Sequence, residues 1–139
     1  MQLRKNAKTR LLKGVPLFSR CSSRELEEIS RIADELDFKE GKELAREGAP
    51  GREFFIIVEG TAEVTRGKRK LRTLADGDFF GEISLITKLP RTATVTTVSP
   101  MRALVITDRS FRRMLDQSPG IQRKVLEALG ERLDDTLVS

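Results

Sequence analysis

Gly81, Glu82 and Arg91 are the residues whose types and spacing could do chemistry. A glycine lets the backbone approach a ligand closely, and Glu82 is placed to open a turn of helix whose N–H groups and positive dipole end suit an anion. Nine positions after Glu82, just behind the rigid turn set by Pro90, comes Arg91. Its planar guanidinium matches a phosphate because the fork donates two parallel hydrogen bonds. Glu82 would repel that phosphate unless it faced a neutral donor such as a sugar hydroxyl. Phosphate and ribose together describe a nucleotide. The stretch holds no glycine-rich Walker loop and no metal-binding carboxylate pair, which disfavours a polyphosphate with magnesium.

Composition narrows the chemistry further. Among 139 residues there is no histidine, which excludes His-based triads and His-ligated metal sites. No enzyme is expected, and no metal or cofactor beyond a ligand. With no Trp or Tyr and seven Phe, a base-stacking RNA platform is disfavoured. Cys21, the single cysteine, fits a reducing cytosol, and Phe54 to Val58, the longest apolar run, is too short to span a bilayer. No secretory segment follows the basic N-terminus, so a cytoplasmic location is expected.

The elements that must position the site follow from periodicity. Ser22 and Glu25 have capping-box spacing, with Leu26, Ile29, Ile32, Ala33 and Leu36 behind them, which predicts a helix over about 22–36. Between 37 and 107, frequent glycines separate short segments rich in Phe, Ile, Val and Thr. Strands are expected at 54–59, 61–66, 69–74, 92–98 and 102–107, with Gly67-Lys68 as a hairpin tip. Turns at such intervals favour a sandwich, barrel or jelly roll over a parallel sheet. Helical spacing returns over 108–117. Ser118-Pro119 then reads as an N-cap with Pro at the first helical position, starting a second helix over 118–137.

Within residues 79–95, Phe80-Gly81-Glu82-Ile83-Ser84-Leu85-Ile86 followed by Pro90-Arg91-Thr92-Ala93-Thr94-Val95 closely resembles the phosphate-binding cassette of cyclic nucleotide-binding domains, as in catabolite activator proteins, cyclic nucleotide-dependent kinases and gated channels. The likeness extends to the Gly48 and Gly60 turns around the 54–58 strand and to Asp76-Gly77-Asp78. It implies an α+β, mainly β fold: a jelly-roll-like antiparallel β-roll with an N-terminal helix and two C-terminal helices, one domain over 1–139. It also implies that Glu82 and the Gly81 amide hold the ribose 2′-hydroxyl. Arg91, with the amides of Ser84 and Thr92, would hold the cyclic phosphate, and Ile83 and Ala93 belong to the same ligand-binding set.

A binding module acts only if its ligand favours one of two conformations. The expected switch draws in the Glu82 turn, shifts Leu85 and Ile86 against Phe111 and Leu115, and turns the last helix about Ser118 to Gly120 to cover the base. Arg132, Leu133 and Thr136 are candidate base contacts by the resemblance. The Thr92 hydroxyl could accept from the 2-amino group of a syn guanine, but no other guanine reader stands out, so cAMP is preferred over cGMP. Leu126, Leu129 and Leu133 read first as core packing and second as a homodimer seam. Residues 1–20 carry six cations and no acid, leaving −1 for the rest of a +5 chain. This arm reads first as a solvated, partly frayed terminus and second as a contact for nucleic acid, anionic lipid or an acidic partner. The competing function is thus a nucleic-acid-binding or transcription-regulator fragment of the catabolite activator type, its DNA-binding domain absent. Arg66 to Arg72 reads first as a solvated hairpin tip and second as a docking patch. The effector partner is open, the chain being either a free-standing receptor or one domain of a larger regulator.

Overall fold

Short β-branched and aromatic segments cannot each bury two faces alone, so they pair into sheets. The computed structural model describes residues 3–138, with side chains described as far as Glu131. They form two compact units, one of residues 33–109 and one of the residues up to 32 and from 110 onwards.

The first unit holds β1 (Asp34–Phe38), β2 (Glu43–Ala45), β3 (Glu53–Glu59), β4 (Ala62–Arg66), β5 (Arg69–Leu74), β6 (Phe79–Phe80), β7 (Thr94–Thr97) and β8 (Met101–Thr107). All pairings are antiparallel, in two four-stranded sheets ordered β1-β8-β3-β6 and β2-β7-β4-β5. This is the expected mainly β, jelly-roll-like architecture with flanking helices. Ala45, Ile57, Ala62, Val64, Leu74, Val95, Met101 and Ala103 form its core, with Phe38 and Phe80 packed against them. Phe80 stacks on Phe55 with ring centroids 4.7 Å apart, which fastens the strand that leads into the cassette. The β4–β5 register slips between Val64, opposite Arg72, and Thr65, opposite Lys70, so Leu71 is an extra residue bulged out of β5.

In the second unit α1 (Lys5–Lys13) is followed by a 3-10 turn at Pro16–Phe18, then α2 (Ser23–Arg31), α3 (Asp108–Gln117, begun at the end of the β unit) and α4 (Pro119–Val138). Ser22 caps α2 as expected: its Oγ accepts from the Glu25 amide at 3.2 Å, and the Glu25 carboxylate accepts from the Ser22 amide at 2.8 Å. Phe18 and Phe111 lie 6.0 Å apart, both fully buried. Pro119 opens α4, but the Ser118 hydroxyl donates to Glu28 at 3.0 Å, while its carbonyl accepts from the Gln122 amide. No helix among the described residues is long and apolar enough to cross a membrane.

Three expectations need correction. Leu126, expected first as core packing, is 63% exposed, because the buried face of α4 runs through Ile121, Val125 and Ala128 instead. The helix expected to reach Leu36 ends at Arg31, and Leu36 lies in β1 opposite Ala103 of β8. Five residue pairs with β8 satisfy the backbone there, and that ladder overrides the coincidence of helical spacing. The basic arm is not frayed over residues 5–13 but helical, with Leu12 fully buried. Lys5 pairs with Glu27 at 3.0 Å, and the ammonium groups of Lys8 and Lys13 donate to the carbonyls of Ser30 and Cys21 at 3.3 and 3.5 Å.

Candidate functional site

The cassette begins where β6 meets β3. Gly81 follows with φ 85°, the left-handed region that glycine enters without strain, and caps a 3-10 turn over Glu82–Leu85. Leu85 is fully buried and anchors that turn, whereas Ile83 is 42% exposed at the pocket wall. On the return arm, Pro90 bridges to Pro50, the Arg91 amide donates to the Ala49 carbonyl and the Gly48 amide donates to the Arg91 carbonyl, both at 2.8 Å. The backbone of Arg91 is thereby pinned before β7 starts at Thr94.

Its side chain is pinned too. Nη1 donates to Ser84 Oγ at 2.9 Å and Nη2 donates to the main-chain carbonyl of Glu53 at 2.8 Å. Burial pushes the Arg91 pKa down, and the nearby Glu53 charge opposes this. A guanidinium nevertheless stays protonated in proteins, so the site keeps its positive charge. Among the described residues Arg91 makes no ion pair; both acceptors it uses are neutral. Two glycines make room for it. A Cβ on Gly81 would lie 2.6 Å from Arg91 Nη1 and 2.7 Å from the Glu53 carbonyl oxygen, and one on Gly51 would lie 2.4 Å from Ser84 Oγ.

A pocket of about 600 Å³ opens beside this cradle, within the usual range of about 300 to 1,000 Å³ for small-ligand sites. Gly81, Glu82, Ile83, Ser84, Arg91, Thr92 and Ala93, the seven residues expected from the sequence, all line it. Glu82 Oε2 is shielded from solvent there. Arg91 and Glu82 therefore share one cavity, a cation for an anionic group and a carboxylate that suits hydroxyl donors. The base-contact candidates Arg132, Leu133 and Thr136 lie outside the residues whose side chains are described.

Sequence reasoning missed five contributors. The Glu53 carbonyl carries no side-chain signal at all. Gly51 looked like one loop glycine among several. Arg66 and Arg72, expected at a solvated tip, line the pocket, and so does Leu71. The bulge in β5 explains the last pair: an extra residue turns consecutive side chains to one face, which strict alternation would have separated.

The cyclic nucleotide-binding domain profile matches residues 35–118. The chain is 36% identical over 132 residues to a cAMP-dependent protein kinase regulatory subunit of Mycosarcoma maydis, covering 88% of this chain and 25% of that protein. The crystal structure of the N-terminal domain of a transcriptional regulator from Streptomyces coelicolor A3(2) superposes with a TM-score of 0.84 at 26% identity, covering 91% of this chain and 94% of that one. A cyclic nucleotide-binding-like protein from Brucella abortus gives a TM-score of 0.73 at 28% identity, over 79% of this chain and 98% of the other. The chain belongs to the cyclic nucleotide-binding domain family, a family of regulatory domains. It spans about a quarter of the length of the kinase regulatory subunit it matches.

Proposed function

We propose that this chain is a cytosolic receptor module for a purine 3′,5′-cyclic nucleotide, acting as one functional domain that passes ligand occupancy to α3 and α4. The observation that carries the reading is Arg91, a half-buried guanidinium held by two neutral acceptors in a pocket that also contains Glu82. A half-buried charge whose bonded acceptors are both neutral is costly, and a cyclic phosphate would supply a directly bonded anion. Glu82 would accept from the ribose 2′-hydroxyl, and the amides of Gly81, Ser84 and Thr92 would complete the grip. Such a module binds and signals without chemistry of its own. The engagement of Lys5 and Lys8 on α2, and of Lys13 on the Cys21 carbonyl just before it, favours this over a nucleic-acid-binding arm.

The sequence favours cAMP for want of a guanine reader. A second reading, cGMP, is favoured by the pocket itself. Arg72 lines it together with Thr92, and a guanidinium is the standard partner of guanine O6 and N7. Isothermal titration with cAMP and cGMP tests both readings. Arg91→Ala should lose at least about 2 kcal/mol of affinity for either nucleotide, because the phosphate loses its charged partner. Undiminished affinity in that variant would refute the assignment.

A further inference from the structure

Arg66 stands at the end of β4, yet its Nε donates to the main-chain carbonyl of Thr92 at 3.0 Å. The contact is embedded in a closed set of hydrogen bonds. The next residue, Gly67, donates its amide to Glu47 Oε1 at 2.8 Å, and the Glu47 amide donates to Thr94 Oγ1 at 3.0 Å. The Gly48 and Ala49 backbone then pairs with Arg91. The hairpin tip, the loop before β3 and the cassette arm are thus tied at one corner of the pocket. A merely solvated arginine would point into water; this one is hooked onto the residue that follows the phosphate-binding guanidinium, and it lines the same cavity.

We propose that Arg66 is a positioning residue for base selection: by holding the Thr92 carbonyl it fixes how the Thr92 hydroxyl faces the purine. The proposal rests on the cyclic nucleotide reading above. Its consequence is separable from simple charge attraction. The positive charge of Arg66 attracts the phosphate of cAMP and cGMP alike, so that contribution cancels in the ratio of the two affinities. Orientation of Thr92 does not cancel, because guanine carries a 2-amino group that adenine lacks.

The test is a double-mutant cycle read by isothermal titration with cAMP and cGMP on wild type, Arg66→Ala, Thr92→Ala and the double variant. Arg66 is exposed at a hairpin tip, so its truncation leaves the core intact. Loss of one hydrogen bond that orients the reader should move the cGMP-to-cAMP affinity ratio by about threefold to tenfold. In the Thr92→Ala background the same truncation should leave the ratio unchanged. If wild type binds and Arg66→Ala weakens both nucleotides by one common factor, or if the ratio moves equally with and without Thr92, the proposal is overturned. If wild type binds neither nucleotide, the receptor reading fails and the proposal with it.

Discussion

At the level of single residues, the site is defined by what surrounds Arg91 more than by Arg91 itself. Gly81 and Gly51 both leave space for its guanidinium, but they differ in what an added methyl would strike. At Gly81 the obstacles include the Glu53 backbone oxygen, and φ of 85° is itself unfavourable for any other residue. Gly81→Ala should therefore cost on the order of 1–3 kcal/mol of stability as well as affinity. At Gly51 the obstacles are side-chain atoms, the Ser84 hydroxyl and the Arg91 side chain, whose mutual hydrogen bond must shift while the backbone need not, so Gly51→Ala should weaken cyclic nucleotide binding and lower the melting temperature less than Gly81→Ala does. Thermal unfolding alongside titration separates the two, and equal loss of stability in both would contradict the distinction. The charged and glycine residues of the cassette were legible because their chemistry resides in side-chain type and spacing. Glu53 was not legible, since what it offers is a carbonyl that any residue possesses.

At the level of elements, legibility depended on whether the deciding interactions were local. The α2 start was readable because a capping box closes within four residues, as were α3 and the strands at 53–59 and 69–74. The end of α2 and the whole of β1 were not, because pairing with β8, about seventy residues away, decides them. The bulge at Leu71 belongs to the same category: it exists only relative to β4. Long-range polar contacts likewise tie α4 and the residue before it to α2 and the segment that leads into it. Lys124 donates to Glu25 at 2.5 Å with the Glu25 side chain only 16% exposed, Ser118 bonds Glu28, and Arg20 pairs with Glu131. Burial alone would raise the Glu25 pKa, but hydrogen bonds from Lys124 and Ser22 outweigh it and hold the carboxyl below the ordinary glutamate range. A depressed folded-state pKa contributes stability above the unfolded value, about 4.3, that is lost as pH falls through the lower folded one. Urea unfolding from about pH 6 to about pH 3 should thus show wild type more stable than Glu25→Gln near neutrality and the gap narrowing in acid. A gap that is constant or widens in acid would show that this carboxylate is not the group responsible.

For the whole molecule, the question is whether a ligand captured within residues 33–109 is felt by the helical unit. A ligand that binds only the folded state adds about 2.7 kcal/mol at a hundredfold excess over its dissociation constant. For a chain of 139 residues that corresponds to a rise in melting temperature on the order of 10 °C, and Arg91→Ala, losing about 2 kcal/mol of affinity, should cut it to about a third or less at the same nucleotide concentration. Stabilisation alone does not make a switch, because it would also follow if the β unit responded by itself. A receptor whose output lies in α3 and α4 must change their opening equilibria, which amide hydrogen exchange reads segment by segment. We expect saturating cyclic nucleotide to alter exchange in residues 108–131 as well as in the cassette, with Gly120 and its neighbours the sensitive point. There the α4 backbone lies against Glu25: a Cβ on Gly120 would sit 3.1 Å from its carboxylate. Any rotation at that point must first disturb the Glu25–Lys124 pair. Exchange confined to residues 79–95, with α3 and α4 unaltered, would leave a nucleotide-binding domain without the proposed helical output.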